Sequence, residues 1–194
     1  MDKFFSRNTL VIDEKIAAFK LSNAYKVYDS EGNEIGAIQE HKPFINILLG
    51  MFLSKGMMPF ELNILNEEGK RIAQLKRGLT FMMSRVQIFN EEGNLVGAFQ
   101  QKFSLKPKFQ LLAPDGSEIA TIKGDWRAWN FDITDAAGNK IGSVDKKWNG
   151  IAKEMFTTAD KYMVNIDPSL TDENKRIAIA SVAAAIDMIL KEDK

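Results

Sequence analysis

The sequence predicts a mainly β protein: a closed twelve-stranded antiparallel barrel of repeated hairpins around a buried hydrophobic C-terminal helix. Two observations carry this expectation. A turn, a glycine and a strand recur together five times, and one long apolar run without strand alternation closes the chain. The chain has 194 residues, enough to bury a sizeable core as a single domain, residues 1–194.

The first strand is Thr9-Leu10-Val11-Ile12-Asp13. The hairpin motif then reads Asp29-Ser30-Glu31-Gly32, and returns as Asn66-Glu67-Glu68-Gly69, Asn90-Glu91-Glu92-Gly93, Pro114-Asp115-Gly116 and Asp135-Ala136-Ala137-Gly138. The last four glycines are spaced by 24, 23 and 22 residues, so one supersecondary unit is used repeatedly. Asp or Asn opens most of the turns by bonding the backbone two residues on, and the glycine takes a positive φ. The strand entering each turn alternates, as in Phe60, Leu62 and Ile64 against Glu61 and Asn63. Val86 and Ile88, Phe109 and Leu111, and Phe131 and Ile133 repeat the pattern, so one face is packed and the other is wet. The strand leaving each turn carries a small residue (Gly36, Ala73, Gly97, Ala120, Gly142), which implies curvature or clearance for a central element.

Five hairpins give ten strands, and the runs starting at Thr9 and Tyr162 make twelve. Twelve strands leave exposed edges unless the sheet closes, and a barrel that wide is not filled by side chains alone. The helix expected over about 171–190 is the plug. Thr171 is its expected N-cap, with Asp172 and Glu173 at the positive end of the dipole. From Ile177 to Leu190 only Ser181 and Asp187 are polar, and the run is too short for a membrane span. One insertion, residues 43–59, interrupts the repeat. Its apolar, methionine-rich composition reads either as a segment packed on the barrel or as an exposed patch that touches a membrane or partner, through Phe44, Leu48, Leu49, Met51 and Phe52.

Composition excludes several functions. There is no cysteine, so disulfides, thiol catalysis and Cys-ligated zinc are out. The formal net charge is zero, which disfavours a polyanion-binding chain driven by bulk charge, and nucleic acid is not indicated. His41 is the only histidine, expected in a surface loop, and no nucleophile, acid and base converge. The protein is expected not to be an enzyme and to need no cofactor. Met1-Asp2-Lys3-Phe4-Phe5 leads into Ser6-Arg7-Asn8 without a signal-peptide core, which points to the cytoplasm. Lysines gather around Lys102, Lys106 and Lys108, and again at Lys140, Lys146, Lys147, Lys153 and Lys161. Such groups read either as solvated faces or as an anionic head-group site on the barrel wall.

Gly142-Ser143-Val144-Asp145-Lys146-Lys147-Trp148-Asn149-Gly150, followed by Glu154-Met155-Phe156-Thr157-Thr158-Ala159-Asp160, resembles the C-terminal signature of phospholipid scramblases, and Ala185-Ile186-Asp187 resembles the Ile-Asp of their apolar helix. The chain is similar also to LURP-one-related proteins and, in architecture, to the tubby C-terminal domain. The resemblance implies a barrel around a hydrophobic helix. It also implies a calcium segment, but here Thr158, Lys161 and Ser169 stand at positions where that segment carries ligands, leaving Asp160 as a lone carboxylate. Calcium takes six to eight oxygens, several of them charged, which argues against a calcium site. The functional expectation is a scramblase-like, LURP-one-related domain that binds anionic lipid or a membrane surface, peripherally. Lys146, Lys147, Lys153 and Trp148 would be at the head group. The alternatives are a protein-interaction or regulatory domain with no lipid role and, third, phospholipid scrambling.

Overall fold

The computed structural model describes residues 1–13, 24–41, 53–104, 108–125, 128–146 and 161–191. Its strands are β1 (Thr9–Asp13), β2 (Ala24–Tyr28), β3 (Glu34–His41), β4 (Phe60–Asn66), β5 (Arg71–Arg77), β6 (Arg85–Asn90), β7 (Leu95–Lys102), β8 (Lys108–Leu112), β9 (Glu118–Asp125), β10 (Asn130–Thr134), β11 (Lys140–Asp145) and β12 (Lys161–Ile166). Each pairs with its sequence neighbours, and β1 pairs antiparallel with β12, closing the barrel. The expected fold class is therefore the observed one. His41 is exposed, as expected, but it ends β3 rather than lying in a loop, with Glu61 opposite.

The five glycine turns share one geometry. In the second, the Asn66 amide donates to the Lys70 carbonyl at 3.0 Å and the Gly69 amide donates to the Asn66 carbonyl at 2.9 Å. The Asn66 side-chain oxygen accepts from the amides of Glu68 and Lys70. Gly69 has φ +75°, and the register shifts at the adjoining Ile64/Leu65 pair, as in a type I turn closed by a left-handed residue. Two of the small residues on the outgoing strands, Gly97 and Gly142, prove to be clearance, first from the next strand and second from the helix. A Cβ on Gly142 would lie 2.6 Å from the Asn165 carbonyl oxygen and 3.5 Å from Ile179 Cγ2. On Gly97 it would lie 2.9 Å from the Leu112 oxygen and 3.8 Å from Ala178 Cβ.

The core faces inward as the alternation predicted: Leu62, Ile64, Val86, Ile88, Phe109, Leu111, Phe131 and Ile133 are fully buried. The plug is a rod of two segments, α2 (Glu173–Ala180) and α3 (Val182–Lys191), following a short N-terminal helix α1 (Lys3–Ser6). Two details correct the sequence reading. The N-cap is Asp172, not Thr171: its carboxylate accepts from the Lys175 amide at 2.9 Å. The rod also changes geometry at Ser181, whose hydroxyl donates to the Ile177 carbonyl at 2.8 Å and competes with the helical bond to that oxygen. Residues from Ile177 to Ile189 are all buried, on every side of the helix, as a rod enclosed by a barrel requires. The α1 helix was not foreseen. Asp2 caps it by accepting from the Phe4 amide at 2.8 Å, and the buried Phe4 and Phe5 extend the core toward α2.

Candidate functional site at the loop end of the barrel

The barrel has two unlike ends. One carries the five glycine turns, α1 and the start of α2. It is acidic, with Glu31, Glu67, Glu68, Glu91 and Glu92 on the turns. Hydrogen bonds from the side chains of Ser117 and Asn139 hold the carboxyls of Asp115 and Asp135 below the usual aspartate range. Asp29 ends up low as well: burial pushes it up, but the Asn33 side chain, the amides of Asn33 and Glu31, and Arg7 together outweigh burial. The connections β1–β2, β3–β4, β5–β6, β7–β8, β9–β10 and β11–β12 leave from the opposite end. Lys146, just after the end of β11, lies at this second end.

Of the residues named from sequence as head-group, membrane-loop or metal candidates, Lys146 is described. Lys147, Trp148, Lys153, Phe44, Leu48, Leu49, Met51, Phe52 and Asp160 lie outside the described residues. The Lys146 ammonium sits 5.5 Å from the centre of the Tyr162 ring, and Trp129 stacks on the same residue at 4.3 Å. Trp129 is half-buried with φ +48°, a backbone conformation that costs a bulky residue energy and is held here by ring packing and by the Lys146 amide, which donates to its carbonyl. The Tyr162 hydroxyl reaches inward and donates to Asp187 Oδ1 at 2.8 Å, while Tyr25 donates to Oδ2 at 2.6 Å. A cation–aromatic rim is thus joined to the central helix through one buried carboxylate.

Two lysines grouped with Lys146 in the sequence are already committed. Lys161 pairs with Asp13 at 2.8 Å, with both side chains nearly buried, and Lys140 pairs with Asp132. The stronger concentration of positive charge is on β7, β8 and β9. Lys102 stands directly opposite Lys108, and Lys108 directly opposite Lys123, so three lysines form one transverse row. Strands about 4.8 Å apart place neighbouring lysines of the row inside the screening length of about 8 Å at physiological salt, and the outer two roughly 10 Å apart, just beyond it. Among the described residues none of the three has a salt-bridge partner. Like charges opposite one another on a sheet destabilise it; Lys123 also stands opposite Asp132 on β10, which Lys140 pairs, so the repulsion lies between Lys108 and its two lysine neighbours. Lys102 and Lys108 were noticed in sequence. Lys123 was missed, although counting back from Gly116 in the hairpin places it opposite Lys108.

Among the described residues no group of three or more His, Asp or Glu is placed to hold a metal ion, and no helix is long and apolar enough to cross a membrane.

The model of the Scramblase family matches residues 7–192. This chain belongs to the Scramblase family. Two relatives agree in coverage. A Saccharomyces cerevisiae protein named altered inheritance rate of mitochondria protein 25 is 25% identical over 86% of this chain and 60% of its own length. A phospholipid scramblase family protein of Schizosaccharomyces pombe is 22% identical over 96% of this chain and 56% of its own. The Scramblase chain described here therefore spans little more than half of each relative. A solved structure of an Arabidopsis thaliana protein superposes with a TM-score of 0.54 at 10% identity, over 100% of this chain and 97% of the other, which supports the fold.

Proposed function

We propose that this Scramblase-family domain is a non-enzymatic module that attaches peripherally and reversibly to membranes by binding anionic phospholipid head groups. The observation that carries the reading is the row Lys102, Lys108 and Lys123, a set of like charges that the fold holds together on one wall. A lipid phosphate or carboxylate is an anion of the right reach, and each basic residue near an anionic surface contributes about 1 kcal/mol. Lys146 beside Tyr162 and Trp129 adds an amphipathic rim at the same end, where tryptophan and lysine suit a lipid interface. The chain's own helix fills the barrel, which favours binding at the wall over passage of lipid through the centre. Family membership and the printed name of the Schizosaccharomyces pombe relative point to phospholipid as the ligand class.

Sedimentation with vesicles of differing head group tests this. The expected result is binding to vesicles containing phosphatidylserine or phosphoinositide, no binding to phosphatidylcholine alone, and a loss of binding as salt shortens the screening length. Failure to bind any vesicle, or equal binding to neutral and anionic ones, contradicts the proposal.

A further inference from the structure

The loop end carries a feature that head-group binding by lysines does not use. The β5–β6 connection reads Gly78-Leu79-Thr80-Phe81-Met82-Met83-Ser84 and has no charged residue. Leu79 is 50% exposed, Phe81 72% and Met82 84%, and Phe103, at the start of the β7–β8 connection, is 92% exposed. These are the large apolar side chains most open to water in the described barrel apart from Met1, at the opposite end. Scattered singly they would mean little, but four on two connections at one end form a patch.

The bases of the loops are firmly held while the tips are bare. Ser84 is buried, its amide donates to Gln101 Oε1 at 3.2 Å, and its carbonyl accepts from the Gln101 amide at 2.8 Å, so the two connections are tied together. Arg77 is buried at the other base, 4.6 Å above the Phe60 ring, and donates to the Ser84 hydroxyl. The Thr80 amide donates to the Met57 carbonyl at 3.2 Å. The arrangement presents apolar tips on a rigid support and does not expose a loose core.

Charge indicates what covers them. Arg85 leaves the first loop exposed on the outer wall, and Lys102 leads directly into Phe103, so cations stand immediately behind the tips. The opposite end of the barrel is acidic. An apolar point backed by positive charge matches an anionic bilayer, in which phosphates lie just outside the acyl region. We infer that Leu79, Phe81, Met82 and Phe103 insert into the outer acyl layer of an anionic membrane, docking the barrel end-on with its glycine turns pointing away. This deepens the lipid-binding reading and rests on it.

The chain contains no cysteine, so single introduced thiols label uniquely. Met82→Cys and Ser117→Cys would each be labelled with an environment-sensitive fluorophore and mixed with phosphatidylserine-containing vesicles. The expected result is a blue shift and protection from aqueous quencher at position 82, and neither at position 117. In parallel, Phe81→Asp with Phe103→Asp should weaken vesicle partitioning about a hundredfold, roughly tenfold for each lost side chain, without lowering the melting temperature. If the wild-type chain binds the vesicles but label 82 stays in water and the double variant binds normally, the insertion is refuted and head-group binding stands. A wild-type chain that ignores the vesicles overturns both.

Discussion

Arg176→Ala is expected to destabilise the protein by about 2–4 kcal/mol, the loss expected when several buried acceptors lose a charged donor. Arg176 is 3% exposed and lies in the first turns of α2, where the helix dipole disfavours a cation. Its hydrogen bonds explain the position. Nε donates to the Phe5 carbonyl at 2.6 Å, one terminal nitrogen to Leu170 at 2.9 Å, and the other to the Arg7 carbonyl at 2.8 Å and Asn8 Oδ1 at 3.1 Å. One planar guanidinium therefore binds α1, the entry to β1 and the turn before α2 into a single closure at the glycine-turn end. Burial lowers its pKa from the ordinary arginine value, and arginine remains charged at any pH of interest. Arg176→Lys should recover less than half of the loss, because an ammonium cannot span this fork of acceptors. Urea denaturation with an unchanged m-value is the measurement; a loss under 0.5 kcal/mol, the usual size of a neutral surface change, would show that the closure is not needed.

Asp187→Ala is expected to cost about 2–5 kcal/mol. Asp187 is fully buried in α3, and its two oxygens accept from Tyr25 and Tyr162. Alanine removes an acceptor from two buried hydroxyls, and each group left without one costs about 1–3 kcal/mol. Asp187→Asn keeps one acceptor and supplies a donor to the other tyrosine, whose hydroxyl rotates, so its loss should be under half as large. Thermal melting resolves the two, since a domain of this size shifts by about 2–4 °C for each kcal/mol. Equal losses for alanine and asparagine would mean that the carboxylate matters for its charge and not for pairing the tyrosines.

These two residues also mark where sequence reasoning stopped. The barrel was legible because its information is local: period-two alternation and a turn glycine recur with every hairpin, and Gly32, Gly69, Gly93, Gly116 and Gly138 all take positive φ. The helix was legible because the run from Ile177 to Leu190 is apolar without alternating and is broken only by Ser181 and Asp187. Arg176 was not, because apart from Leu170 its partners, Phe5, Arg7 and Asn8, are some 170 residues away and its neighbours in sequence are ordinary helix-start charges. Asp187 was seen as a polar break in an apolar run, but Tyr25 lies 162 residues distant. The head-group candidates were chosen for local density of lysine and tryptophan. Density does not reveal that Lys161 is spent on Asp13, nor that register brings Lys123 beside Lys108. The apolar tips at Phe81 and Phe103 drew no reading from the sequence, because exposure is a property of the folded surface.

The most direct test of a lipid-binding wall is vesicle affinity in a chain carrying Lys102→Gln, Lys108→Gln and Lys123→Gln together. Three cations removed at about 1 kcal/mol each should lower affinity for phosphatidylserine vesicles by roughly a hundredfold. The melting temperature should hold or rise, since like-charge repulsion on the sheet is relieved. Undiminished binding by the triple variant would contradict the account.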